Sequence, residues 1–117
     1  MSGISYYPSR NQEKTQRVRS VTSNVSLSLN DADSLYYCNS STEIVISLTE
    51  ANSLQFPVGS KIDFVRANTG NVTFASAPAN TSIQSANSAT KIRLQWAACT
   101  LIKTTSNTWV LVGDITT

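Results

Sequence analysis

From Val21 onward, apolar residues recur at every second position in short runs, and this period governs what the chain can fold into. Val25, Leu27 and Leu29 alternate with Ser26 and Ser28, and Ile44, Ile46 and Leu48 alternate with Val45 and Ser47. Ile62 and Phe64 flank Asp63, Val72 and Phe74 flank Thr73, and Ile92, Leu94 and Trp96 alternate with Arg93 and Gln95. Successive side chains of a strand point to opposite faces, so such runs bury one face and leave the other in water. Residues 34–38 and 108–112 read as further strands, rich in aromatic and β-branched residues. Turn-forming residues punctuate the runs at 30–31, 39–41, 57–59, 68–71, 77–80, 85–87 and 106–107. One short helix is predicted over residues 49–54, with Thr49 as its cap. The expectation is an all-β fold, a single antiparallel β-sandwich or barrel-like body spanning residues 21–117. Its predicted core is Leu27, Ile44, Ile46, Ile62, Phe64, Val72, Phe74, Ile92, Leu94 and Leu111. No internal repeat and no second domain are evident.

Residues 1–20 follow a different rule. Ile4, Tyr6, Tyr7 and Val18 are the only large apolar groups there after Met1, without helical periodicity, and Pro8 interrupts any helix before it. The segment reads as an extended N-terminal arm. It holds Arg10, Lys14, Arg17 and Arg19 against Glu13, whereas the rest of the chain has five basic and six acidic residues. The positive charge of the chain is therefore concentrated in the arm. Tyr6, Tyr7, Arg10, Lys14, Arg17 and Arg19 are the candidate residues for binding an acidic protein surface or a neighbouring subunit. Basic residues beside stacking aromatics also suit single-stranded nucleic acid, but four positive charges ahead of a slightly acidic body are few for that partner.

Several chemistries have no residues to carry them. Histidine is absent, which removes the commonest general base and metal ligand. Asp31 and Asp33 have the opening spacing of a calcium loop, but Leu35 and Tyr36 stand where that loop needs an oxygen ligand and a glycine. The Asp pair therefore reads as a turn. Gly3, Gly59, Gly70 and Gly113 are isolated and form no phosphate loop. No enzymatic activity and no cofactor are expected. Cys38 and Cys99 are expected to be buried, reduced thiols. Trp96 and Trp109 read as core or subunit-interface residues, with a sugar-stacking platform as the alternative. No run reaches the roughly 20 apolar residues of a membrane span, and no secretory signal is visible. Synthesis in the cytosol of the producing cell is the expectation, with no membrane partner. Only 14% of residues are charged, against about 25% in an average protein. The surface is instead rich in Ser, Thr and Asn, which suits packing against neighbours with few charges to desolvate.

One ordered series of residues carries a resemblance. It runs from Phe56-Pro57-Val58-Gly59-Ser60-Lys61-Ile62 through Gly70-Asn71-Val72-Thr73-Phe74 and Ile92-Arg93-Leu94-Gln95-Trp96. It continues with Thr100-Leu101-Ile102-Lys103 and ends in residues 107–115, with the pattern Trp109-x-Leu111-x-Gly113-Asp114. The series resembles a β-rich module of tailed-bacteriophage virion proteins, found in tail fibres, tailspikes, head fibres and head decoration (cement) proteins. The resemblance covers roughly residues 31–115. It implies a structural, non-catalytic virion component that assembles as a homotrimer. A chain of 117 residues lacks room for a fibre shaft plus an attachment domain, which favours capsid decoration. The implied partner is then the major capsid protein, and the implied place is the outer surface of the capsid. The alternative is a receptor-binding or fibre-tip module that recognises host glycans.

Overall fold

The computed structural model describes residues 15–75 and 80–117. It is mostly β, built as two mixed sheets over one core. The strands in chain order are β1 (Arg17–Val21), β2 (Val25–Ser26), β3 (Ser34–Cys38), β4 (Ile44–Ser47), β5 (Lys61–Arg66) and β6 (Val72–Phe74). Then follow β7 (Ser82–Ser85), β8 (Lys91–Ile92), β9 (Ala98–Lys103), β10 (Thr108–Gly113) and β11 (Ile115–Thr116). One helix, α1 (Glu50–Gln55), lies between β4 and β5. As expected, Thr49 caps it, its Oγ1 accepting the Asn52 amide at 3.1 Å.

The six-stranded sheet has the order β1-β3-β5-β9-β10-β7, and the five-stranded sheet β11-β8-β6-β4-β2. From β1 to β6 the chain therefore alternates between the sheets, laying each strand beside the one placed two strands earlier. Strands laid this way run parallel, as β1, β3 and β5 do in one sheet and β2, β4 and β6 in the other. This corrects the antiparallel expectation. Alternation of apolar residues reports which face is buried and says nothing about the direction of the neighbouring strand. Among the described residues, antiparallel pairing appears only where β9 joins β5 and β10 and where β8 joins β6 and β11.

The parallel part also contains a repeat that was not evident in the sequence. Leu35 lies opposite Asp63 and Ile44 opposite Val72, a step of 28 residues in both sheets. The matching inward residues are Tyr36 and Phe64, Ile44 and Val72, and Ile46 and Phe74. Only size and polarity are kept at three positions per turn, too little to stand out in one sequence.

Nine of the ten predicted core residues are buried. Leu94 is the exception at 46% exposed. The predicted strand through residues 92–96 stops at Ile92, because Trp96 has φ +72° and Ala97 N–H bonds back to Leu94 O at 3.1 Å. That is a turn, so the alternation there does not sort faces. Tyr36, Phe64 and Phe74 form a chain of edge-to-face rings at 5.5 and 4.9 Å. Cys38 and Cys99 are buried and free. Burial pushes the Cys38 thiol up to about 12. Burial also raises that of Cys99, helped by the nearby Cys38 and Asp63.

Trp109 is fully buried, edge-on to Phe56 at 5.0 Å, with its Nε1 donating to Ser53 Oγ at 2.8 Å. Beside it Lys103, 3% exposed, donates from Nζ to Ser53 O at 2.7 Å and Phe56 O at 2.8 Å. The carbonyl end of α1 attracts a cation, and Ser53 O, which also accepts the Phe56 amide at 3.2 Å, takes the ammonium as a second donor.

Candidate assembly surface

The sequence placed six candidate residues in the arm. Tyr6, Tyr7, Arg10 and Lys14 lie outside the described residues. Arg17 and Arg19 lie in β1, which pairs with β3 along its whole length. The expected domain boundary at residue 20 thus falls inside a strand, and residues 17–20 belong to the body. Val18 and Val21, three positions apart, fall on opposite faces of the strand and give no period-two signal.

Both arginines have partners within the chain. They share the inward side of β1 with Val21, opposite Ser34, Tyr36 and Cys38 of β3. Arg17 donates to Asn30 O at 2.5 Å, and Arg19 pairs with Asp31 Oδ1 at 3.0 Å. Asp31 is 3% exposed and its other oxygen accepts the Ser28 amide at 2.9 Å. Burial, together with hydrogen bonding to Asp31, raises the Tyr36 hydroxyl well above the usual phenol value. The carboxylate expected in a plain turn is therefore a buried staple. It ties the edge strand to the 3₁₀ turn Leu29–Asp31, and inward-pointing charge of this kind protects a sheet edge from adding foreign strands.

The outward faces of the two sheets differ. On the five-stranded sheet, pairing aligns Ser26 with Ser47, Val45 with Thr73, and Lys91 with both Thr73 and Thr116. That is the ordinary polar exterior of a sheet buried on one side. On the six-stranded sheet, one outward row runs Val18, Leu35, Asp63, Thr100 and Val112. The next runs Ser20, Tyr37, Val65 and Ala98, and a third joins Ile102 to Val110. Val18 is 62% exposed and Val112 43%. Apolar residues thus occupy both faces of this sheet. Its one central carboxylate, Asp63, accepts from Gln16 Nε2 at 2.7 Å and from Thr100 Oγ1 at 2.5 Å.

Trp96 extends this surface. It is 61% exposed, and its ring lies tilted against Tyr37 with centroids 6.3 Å apart. Its left-handed backbone, unusual for a bulky residue, is held by its N–H donating to Arg66 O at 2.6 Å. The two tryptophans, equivalent in the sequence reading, thus part: Trp109 is core and Trp96 surface.

The Trp109-x-Leu111-x-Gly113-Asp114 pattern has a structural explanation. Trp109 and Leu111 enter the core. Gly113 has φ +132°, and a Cβ there would collide with Ala98 O and Cys99 Cα. Asp114 then accepts two bonds from Arg93, at 2.5 and 2.8 Å, which hold its carboxyl below the usual carboxylate range.

A cavity of about 600 Å³ lies where β7 and β10 meet the last residues of the chain. Its lining includes Gln84, Asn87, Val110, Val112 and Ile115, with no aromatic ring and no charged side chain. Among the described residues no group of three His, Cys, Asp or Glu side chains converges as a metal site, and no helix is long and apolar enough to cross a membrane. No protein family, curated protein or solved structure compared with this chain matches it.

Proposed function

We propose that this chain is a structural, non-catalytic component of a tailed-phage virion, a homotrimeric decoration protein that reinforces the capsid from outside. The observation that carries the reading is the apolar outward face of the six-stranded sheet, with its central carboxylate already hydrogen-bonded. A body with apolar residues on both faces of its main sheet is made to be covered. The residues that resemble phage modules run from the end of α1 through β5 to β11, where they hold the corner at Gly113 and the plug at Trp109. The trimer and the sandwich-like packing of the body belong to this reading. So does attachment to the major capsid protein through Tyr6, Tyr7, Arg10 and Lys14, since three weakly binding arms on one trimer act together. Arg17 and Arg19 take part with the donors left over from their bonds to Asn30 and Asp31.

Cryo-electron microscopy of the particles tests the location. Density for the body on the outer shell is expected, and density only at a fibre tip would overturn decoration. Deletion of residues 1–14, which stops short of β1, should leave a folded body that no longer coats heads.

A second reading rests on Trp96 and Tyr37. An exposed aromatic pair offers a stacking platform, as a fibre-tip module that recognises host glycans needs. Binding of the purified protein to a glycan array, lost in Trp96→Ala, would favour it.

A further inference from the structure

We infer that the outward face of the six-stranded sheet is the surface through which copies of this chain associate, anchored by Trp96 and Tyr37. The inference rests on the homo-oligomeric part of the proposed function and assigns it to residues. Three observations choose a second copy as the occupant.

The first is the contrast between the two sheets. One chain, poor in charge throughout, gives its five-stranded sheet a polar exterior and its six-stranded sheet rows containing Val18, Leu35, Val65 and Val112. Pairing demands nothing of those positions, because backbone bonds hold the strands whatever the outward residue is.

The second is charge. Asp63 has its hydrogen bonds from Gln16 and Thr100 within the face. Lys61, aligned with Ile102, stands at the rim and is exposed. Such a surface has no cationic patch for a phosphate backbone, and its charged groups are one carboxylate held by two neutral donors and one lysine at the rim. It does suit the apolar surface of another copy, against which Asp63 keeps both hydrogen bonds, each copy's face meeting a different surface of the next as a threefold assembly requires.

The third is size. Six strands spaced about 4.8 Å apart, each presenting about five residues at about 3.3 Å, span roughly 480 Å² in projection. Two copies then cover about 1,000 Å², the threshold for a specific interface. Trp96 enlarges the patch at the edge next to Tyr37, and Trp and Tyr are the residues that most often dominate binding energy at interfaces.

Light scattering coupled to gel filtration, on the full chain at micromolar concentration, tests the assignment. The unaltered protein should elute as an oligomer. Val18→Lys combined with Val112→Lys should elute as a monomer with an unchanged circular dichroism spectrum. Trp96→Ala, at an exposed turn where folding is not at stake, should raise the dissociation constant at least tenfold. Val45→Lys, the same change on the outward face of the other sheet, should leave the oligomer intact. An unaltered protein that is monomeric overturns both this inference and the trimer of the proposed function. An oligomer that survives Val18→Lys with Val112→Lys and Trp96→Ala overturns the face alone and leaves the trimer standing. The same survival is the result if residues 1–14, and not a second copy, cover the face.

Discussion

The two halves of this molecule reach the same end, a closed core, by different means. In the half made of β1 to β6, the chain alternates between the sheets and the interior is filled by rings and branched aliphatics, with Tyr36, Phe64 and Phe74 in contact. In the half made of β7 to β11, β9 and β10 form an antiparallel hairpin and the interior contains a polar plug. There Lys103 and Trp109 both bond to the short helix, through Ser53 and Phe56. A repeating path can be closed by shape alone. The irregular half supplies donors to carbonyls that the connection between β4 and β5 leaves inside the protein.

The sharpest way to break this comparison is Phe64→Ala. Phe64 is fully buried and contacts two rings, so the change should cost about 4 kcal/mol. Urea denaturation should show it as a large fall in midpoint at an unchanged slope. An equal loss from Leu111→Ala would mean that the two halves are packed alike. Lys103→Met tests the plug next, since it keeps the aliphatic stem and takes one donor from Ser53 O and one from Phe56 O. A destabilisation of about 2 kcal/mol is expected. If the variant is instead more stable, burial of the ammonium outweighs its two bonds and the plug is held by packing.

Asp31→Ala addresses the open edge of the repeating half. It removes an acceptor from the Ser28 amide and from Arg19, and should cost about 1.5 kcal/mol by thermal melting. Arg19→Ala should cost less than about 1 kcal/mol, because over a third of that side chain is in solvent. The smallest effect belongs to the corner at Gly113. The Arg93 guanidinium holds the Asp114 carboxyl below its ordinary value of 3.8. Their pair therefore contributes above that value, and the contribution is lost as pH falls through the lower, folded value. Arg93→Ala should flatten the acid side of the melting-temperature profile and leave the neutral side almost unchanged.

The sequence disclosed the core better than the path. Alternation sorted Ile44, Ile46, Ile62 and Phe64 correctly, because an inward residue is apolar whichever strand lies beside it. It failed at Leu94 and Trp96, where a left-handed residue turns the backbone and breaks the two-fold count. Strand direction was hidden because it depends on connections between sheets. The outward apolar face did leave a trace. Leu35-Tyr36-Tyr37 and Trp109-Val110-Leu111-Val112 are unbroken apolar runs, the mark of strands covered on both sides. The staple at Asp31 left none, since its meaning depends on Arg19 and Tyr36 arriving from two other strands.

The common step of 28 residues has a consequence for how such a chain can vary in length. Because β3 and β4 are followed in both sheets by partners the same distance on, insertion of a similar unit would add one complete layer, about 4.8 Å thick. Every inward residue above and below would keep its neighbours. An insertion of any other size must be absorbed in a connection, as the shorter span from β1 to β3 already is: Arg17 meets Ser34 only 17 residues later. Proteins built on this plan would therefore differ from one another in whole layers, with the stapled edge and the plugged end carried unchanged at either side.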